Sequence, residues 1–451
     1  MLTAKHKTGL VFFPAFDWAI SPTHPEREER LLYTQDQVLE EGLFDIDGIH
    51  EFKPDPVTIN DIQRVHFCVP DVGGVTTESH LISAGGAKTI GAAVLDGQVD
   101  RGFALVRPPG HHAMRVAHGA RGFCNINIEA VMIEYLRQAY SIDRVAIVDT
   151  DCHHGDGTQD IYWHDPDTLF ISIHQDGRTL YPGSGFVKEL GGPNARGRIL
   201  NIPLPPNTSE EGFLHVLDHV ILPVLEDFQP DIIINYAGQD NHYTDPITNM
   251  NFSAQGYAIL TERLKPDIAV LEGGYSIEGA LPYVNLGIIL AMAGLDYGKV
   301  REPDYDPEAI RQSASTTAII EKIGKVVLQT WRDIAIQREA TAHLQSSRNA
   351  HGAFSTTPTC STSGSMKPSA SAPIVPGPFG SILLRTGGTA SWPCTSLARP
   401  AMRAGRSDMT GTNPLKARRF VRSACRIGSR TRMRYAVHDN SFQTHTKEEG
   451  T

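Results

Sequence analysis

The chain has 451 residues, 40% hydrophobic and 20% charged, with a formal net charge of −10. This is an ordinary globular composition, and no uninterrupted apolar run approaches the roughly 20 residues that span a bilayer, so no membrane partner is expected. Residues from Gln345 onward carry 15 Lys and Arg against 4 Asp and Glu, a net of +11, which leaves −21 for residues 1–344; so acidic a body argues against direct nucleic-acid binding.

In chain order the expected elements are strand Gly9–Pro14, helix Glu26–Glu41, helix Ser79–Asp96, strand Gly102–Val106, helix Asn127–Ala139, strand Arg144–Asp149, strand Thr168–His174, strand Arg198–Ile202, helix Glu210–Phe228, strand Asp231–Ala237, helix Ser253–Leu264, strand Asp267–Glu272 and a closing helix Pro307–Ala335. Several strands read as continuous apolar runs, such as VAIVD and LFISI. Such strands are buried on both faces, as in a parallel sheet covered by helices. Alternation of strand and helix argues for an α/β architecture. After about residue 340 the texture turns rich in Ser, Thr, Pro and Gly, and then in arginines without an apolar period. The expected division is a folded body, 1–344, and a low-complexity basic tail, 345–451, that is disordered. Six scattered cysteines form no CxxC pair, and the N-terminus lacks a signal-peptide pattern. The reading is reduced thiols in a cytoplasmic protein.

Four segments carry chemistry, and each follows an apolar strand. VDTDCHHGDGT (Val148–Thr158) turns Asp149, Asp151 and His153 to one side by strand alternation, so a carboxylate and an imidazole can converge on one metal ion. AGQDNHYTDP (Ala237–Pro246) offers Asp240 as a third ligand. RPPGHH (Arg107–His112) offers two adjacent imidazoles for general base and acid work. LEGGY (Leu271–Tyr275) offers a hydroxyl beside a sharp glycine turn. Taken singly, each has a plainer reading: a polar loop, a turn, a solvated histidine pair, a packing tyrosine. The carboxyl ends of parallel strands are where α/β folds place their sites.

Together with HPEREERL (His24–Leu31), GFCNINI, SIH and YPGSG in the same order, these segments resemble the histone deacetylase and acetylpolyamine amidohydrolase family, its class II-like or bacterial branch. The resemblance covers roughly Gly9 to Ala293. It implies an arginase/deacetylase-like three-layer fold, a mainly parallel central sheet flanked by helices. It implies a Zn2+ ion, with Fe2+ as an alternative, held by Asp151, His153 and Asp240. His111 and His112 would be the acid/base pair, oriented by Asp149 and Asp156, and Tyr275 would donate to the acyl oxygen. Gly122, Phe123, Tyr181 and Ile247 would line the acyl tunnel. A structural K+ would be held by Asp149, Asp151, His153 and Ser172. Arg30 matches an arginine lining an internal channel of some relatives, and Asp71 and Glu78 are the candidates for an acidic rim residue. Gln239 stands where many relatives carry Phe or Leu. Ile247 stands where polyamine-specific eukaryotic members carry a gatekeeping Glu.

The implied activity is hydrolysis of an acylated amine, either acetyl-lysine in proteins or an acetylpolyamine. The alternatives are an arginase-like ureohydrolase and a non-catalytic acyl-amine-binding relative. A homo-oligomer is left open as a partner.

Overall fold

The computed structural model describes residues 2–352 apart from positions 22, 69, 70 and 118; side chains are described up to residue 337, apart from those positions and 68, 72 and 117. The expected tail lies outside the described residues, except for helix backbone that runs to Gly352 and so passes residue 344.

Eight strands form one sheet: β1 Thr3–Phe13, β2 Asp47–Glu51, β3 Arg101–Val106, β4 Val145–Asp149, β5 Thr168–Gln175, β6 Ile199–Leu204, β7 Ile232–Ala237 and β8 Ile268–Leu271. Their spatial order is β2-β1-β3-β8-β7-β4-β5-β6. All seven pairings are parallel, the arrangement that needs helical crossovers and covers both faces. Hence β4 and β5 are buried along their whole length.

Alternate residues serve the two faces. On one, Leu10, Phe12, Phe103, Leu105, Val148 and Ile171 join a core with Leu31, Ile288, Ile289 and Trp331. On the other, Val11 and Val106 press against Gly86 of the helix Glu78–Leu95, which packs on the helix Ile128–Tyr140. No described helix is long and apolar enough to cross a membrane.

All seven expected strands are present, with ends shifted by a few residues. The edge strand β2 was not expected. Its sequence, DGIHE, is mostly polar because three of its five residues face outward. Helix Leu281–Ala293 was also missed: it is buried almost all round, so no polar stripe marks its period. The short helix Asp156–Tyr162, also not expected, begins inside the Val148–Thr158 motif and runs past its end. The expected helix Glu210–Phe228 carries a π turn at Leu217–Ile221, next to Pro223, which has no N–H to give. The closing helix spans Ala314–Gly352 rather than Pro307–Ala335.

Trp331 of that last helix is nearly buried, and its Nε1–H donates to Asp227 Oδ2 at 3.1 Å. Replacing it with Ala removes a large buried ring and leaves a cavity. Trp331→Ala is expected to lower unfolding stability by about 3–5 kcal/mol, read from urea titration of the full chain. A loss below about 0.5 kcal/mol, within the range of ordinary surface changes, would mean the helix contributes little to the core.

Candidate active site

The site is assembled by four strands that lie side by side, β3, β8, β7 and β4. The parallel pairing brings their carboxyl ends to one edge, and the loop after each carries one of the four motifs. Adjacency in the sheet, not in sequence, brings the motifs together.

The loops after β4 and β7 meet at Asp151, His153 and Asp240. One ligand atom from each lies within 4.8 Å of the others, and all three residues are buried. His153 Nδ1 sits 2.7 Å from Asp240 Oδ2 and 3.2 Å from Asp151 Oδ1. Backbone amides complete the carboxylates: Gly273 N–H donates to Asp151 Oδ2 at 2.7 Å, and Cys152 N–H to Asp240 Oδ1 at 2.6 Å. Burial opposes a charged imidazole, yet Asp240 and Asp151 hold the His153 proton up to about 10. Burial and the nearby Asp151 push Asp240 up to about 6. Two buried carboxylates thus draw a positive charge to one point. Among the described residues no other group of three such ligands is brought together. One imidazole with two carboxylates suits zinc or iron(II), so the residues fit the implied ion.

Gly273 permits this close approach. A Cβ there would stand 2.6 Å from Asp151 Oδ2 and 2.7 Å from Asp240 Oδ2. The third residue of LEGGY is therefore a glycine for the sake of the carboxylates, a tighter constraint than turn geometry alone.

His111 and His112 lie beside the group, their rings 4.0 Å apart. Each Nδ1 meets a carboxylate: Asp149 Oδ2 at 3.2 Å for His111 and Asp156 Oδ1 at 2.8 Å for His112. Their environments diverge. Burial opposes the His111 proton, but Glu272, Asp151 and Asp149 outweigh it and push it up to about 10. Burial and the adjacent His111 hold His112 down to about 3 despite Asp156. The pair thus places one charged and one neutral imidazole side by side.

Above them opens a cavity of about 450 Å³ lined by His111, His112, Gly122, Phe123, His153, Leu180, Tyr181, Ile247 and Tyr275. All four expected tunnel residues are in this lining. Arg121 and Cys124 exchange backbone hydrogen bonds at 2.9 Å in both directions, and between them Gly122 and Phe123 both have positive φ, 52° and 70°. A two-residue turn with both φ positive favours glycine, so Phe123 is held in a conformation a phenylalanine rarely adopts. That turn aims its ring at Tyr275, 5.6 Å away edge-on. Tyr275 is 7% exposed, and burial pushes its hydroxyl well above the usual range. Ser172 of the expected K+ set pairs in register with Asp149, and its hydroxyl meets His174 Nδ1 at 2.9 Å.

Several participants were not singled out from the sequence. Asp245 Oδ2 accepts the Tyr275 amide at 2.8 Å, and its Oδ1 accepts the Ile247 amide at 3.0 Å; it sits inside the quoted AGQDNHYTDP motif, which is the signal that could have found it. Glu272 accepts the amides of Gly110 and His111, both at 3.1 Å. It interacts electrostatically with buried Glu129, whose carboxylate oxygens have no hydrogen-bond partner, and burial pushes Glu129 up to about 7 and Glu272 well above the usual carboxylate range. Arg30, which the resemblance names, donates to Gly274 O at 2.7 Å and to Glu272 O, and its guanidinium stands 5.0 Å from the Tyr275 ring. Buried Glu26 joins Arg30 to Arg107. Neither Asp71 nor Glu78 lines the cavity.

A histone deacetylase domain model matches residues 72–285. The chain is 41% identical to a probable deacetylase of Archaeoglobus fulgidus, over 72% of this chain and 99% of that protein. It is 35% identical to the histone deacetylase-like amidohydrolase of Pseudomonas aeruginosa, spanning 52% of this chain and 63% of that one. It is 32% identical to the acetoin utilization protein AcuC of Staphylococcus xylosus, over 56% and 71%. The crystal structure of the HDA15 HD domain superposes with a TM-score of 0.63 at 26% identity, covering 75% of this chain and 98% of that domain. With a probable deacetylase matched along nearly its entire length and the domain model spanning all four motifs, the chain belongs to the histone deacetylase family.

Proposed function

We propose that the protein is a zinc-dependent deacylase that hydrolyses the amide of acetylated amines, acetyl-lysine or a small acyl-amine. The observation that carries the reading is the buried Asp151–His153–Asp240 group at the floor of a cavity whose walls bear His111, His112 and Tyr275. A two-metal ureohydrolase would need further carboxylates at this point. When bound, the ion supplies Lewis acidity to the acyl oxygen and to an attacking water.

The protein's own groups do the rest. Gly122, Phe123, Tyr181 and Ile247 hold the aliphatic stem and keep bulk water out. His112, neutral and with Nδ1 directed at Asp156, presents Nε2 as the base that takes a proton from water. It returns that proton to the departing amine as the C–N bond breaks. His111, held charged by Asp149 and its neighbours, offsets negative charge developing beside it. The Tyr275 hydroxyl donates to the acyl oxygen as that oxygen gains charge. Arg30 and Asp245 hold the turn that carries Tyr275. A structural K+ at Asp149, Asp151, His153 and Ser172 would steady the β4 and β5 ends. Catalysis is assigned to the body, 1–344, in a cytoplasmic enzyme.

Purified protein should carry about one catalytic divalent ion per chain, and Asp240→Ala should lose most of it. Elemental analysis of both proteins decides this, and full occupancy in the variant would remove Asp240 from the ligand set. Tyr275→Phe deletes one donor and keeps the ring, so turnover should fall roughly 10²–10³-fold at unchanged metal content. Turnover within a few-fold of the parent would take the hydroxyl out of the mechanism. A chain ended after Gly352 keeps every site residue and the full last helix. Its turnover and melting temperature should match those of the full chain; a large loss of either would assign the tail a part in the body.

A further inference from the structure

A charged side chain, Arg121, stands beside the cavity. It lines a neighbouring hollow that shares Gly122 and Tyr181 with the cavity wall, and its guanidinium stands 5.9 Å from the centre of the Tyr181 ring. It pairs with Asp156. The two members of that pair face different ways: the Asp156 side chain is 6% exposed and turned inward to His112, while the Arg121 side chain is 41% exposed. The positive member of the pair is therefore the solvent-facing one, next to the Gly122 and Tyr181 wall. Arg121 Nε is itself buried and has no hydrogen-bond partner, so the exposed part of the side chain lies elsewhere on it. The paired backbone bonds to Cys124 fix where the side chain starts. None of the nine residues lining the cavity is an acid, so nothing there offers a carboxylate to an incoming ammonium.

We propose that Arg121 is a specificity-determining residue, which sets the mouth against acyl-amines bearing a second cation one stem length from the amide and toward those bearing a carboxylate there. This rests on the deacylase reading and names the substrate class within it. A four-carbon stem raises the far ammonium of an acetylated diamine to the level where a lysine stem reaches its neutral peptide backbone. There the cation meets the guanidinium. An acyl-amine ending in a carboxylate, or an acetyl-lysine flanked by an acidic residue, meets it favourably instead.

A matched series isolates this effect: N-acetylputrescine, N-(4-hydroxybutyl)acetamide and 5-acetamidopentanoate share the reacting amide and stem and differ in terminal charge. For the full-length metal-loaded enzyme kcat/KM should rise in the order cation, neutral, anion, by about 2–5-fold per step, as expected of a half-exposed charge pair. Arg121→Gln should compress the series toward equality, Arg121→Glu should invert it, and Arg121→Lys should keep the order. Ratios within each protein cancel any common effect of losing the Asp156 partner. Raising the salt concentration should narrow the parent's spread. A parent enzyme that uses the cation as well as the neutral compound, or an Arg121→Gln spread equal to the parent's, would overturn the assignment. Failure to turn over all three and an acetyl-lysine peptide as well would overturn the deacylase reading, and this inference with it.

Discussion

Carboxylates taken out of water must be met by N–H groups or by positive charge, and this constraint organises the centre of the protein. Asp149, Asp151 and Asp240 are all fully buried within a few residues of one strand edge. The amides of Asp151, Cys152, His153 and Gly273 each donate to one of them. The rings of His111 and His153 close the remaining directions. Backbone can approach this closely only where side chains are absent, which accounts for Gly273 and for Gly238, whose Cβ would stand 2.3 Å from the Asp151 Cα. The group as a whole stays short of positive charge, and an ion fits the chemistry of its donors.

A second buried charge system braces the first. Glu26 lies between Arg30 and Arg107, with all three side chains fully buried. Arg107 also donates to Pro14 O, Ala15 O and Trp18 O at 2.5, 2.8 and 3.0 Å. The arginines thereby tie the loop after β1, the loop after β3 and the glycine turn after β8 into one unit. Removing one member would strand a buried charge, which typically costs about 3–5 kcal/mol. The tyrosine-bearing turn is thus held from below by Arg30 and from the side by Asp245, on an otherwise flexible glycine pair.

Much of this was legible in the sequence because the site follows strand ends. Apolar runs such as VAIVD and IIIN mark buried parallel strands, and the polar residues after them fall at one edge whatever their sequence separation. Asp151, His153 and Asp240 could therefore be placed from pattern and resemblance together. Residues acting through backbone amides were harder to see. Asp245 and Glu272 grip N–H groups of segments distant in sequence, and nothing in local periodicity announces that. Helix Leu281–Ala293 escaped for a different reason. Enclosed by the sheet and its neighbours, it has no wet face, and its apolar run has no period to read.

The two borders of the sheet are finished in opposite ways. At one border β2 presents Asp47, His50 and Glu51 outward, and charge on an edge discourages a foreign strand from adding to it. At the other, β6 is ILNIPL, buried at every position beneath the helix Ala314–Gly352. Without that cover it would be an apolar strand with free backbone groups, a template for intermolecular pairing. The last helix therefore acts as a guard against aggregation as well as a contributor to the core. A chain cut before residue 314 would be expected to form inclusion bodies while every active-site residue remained in place.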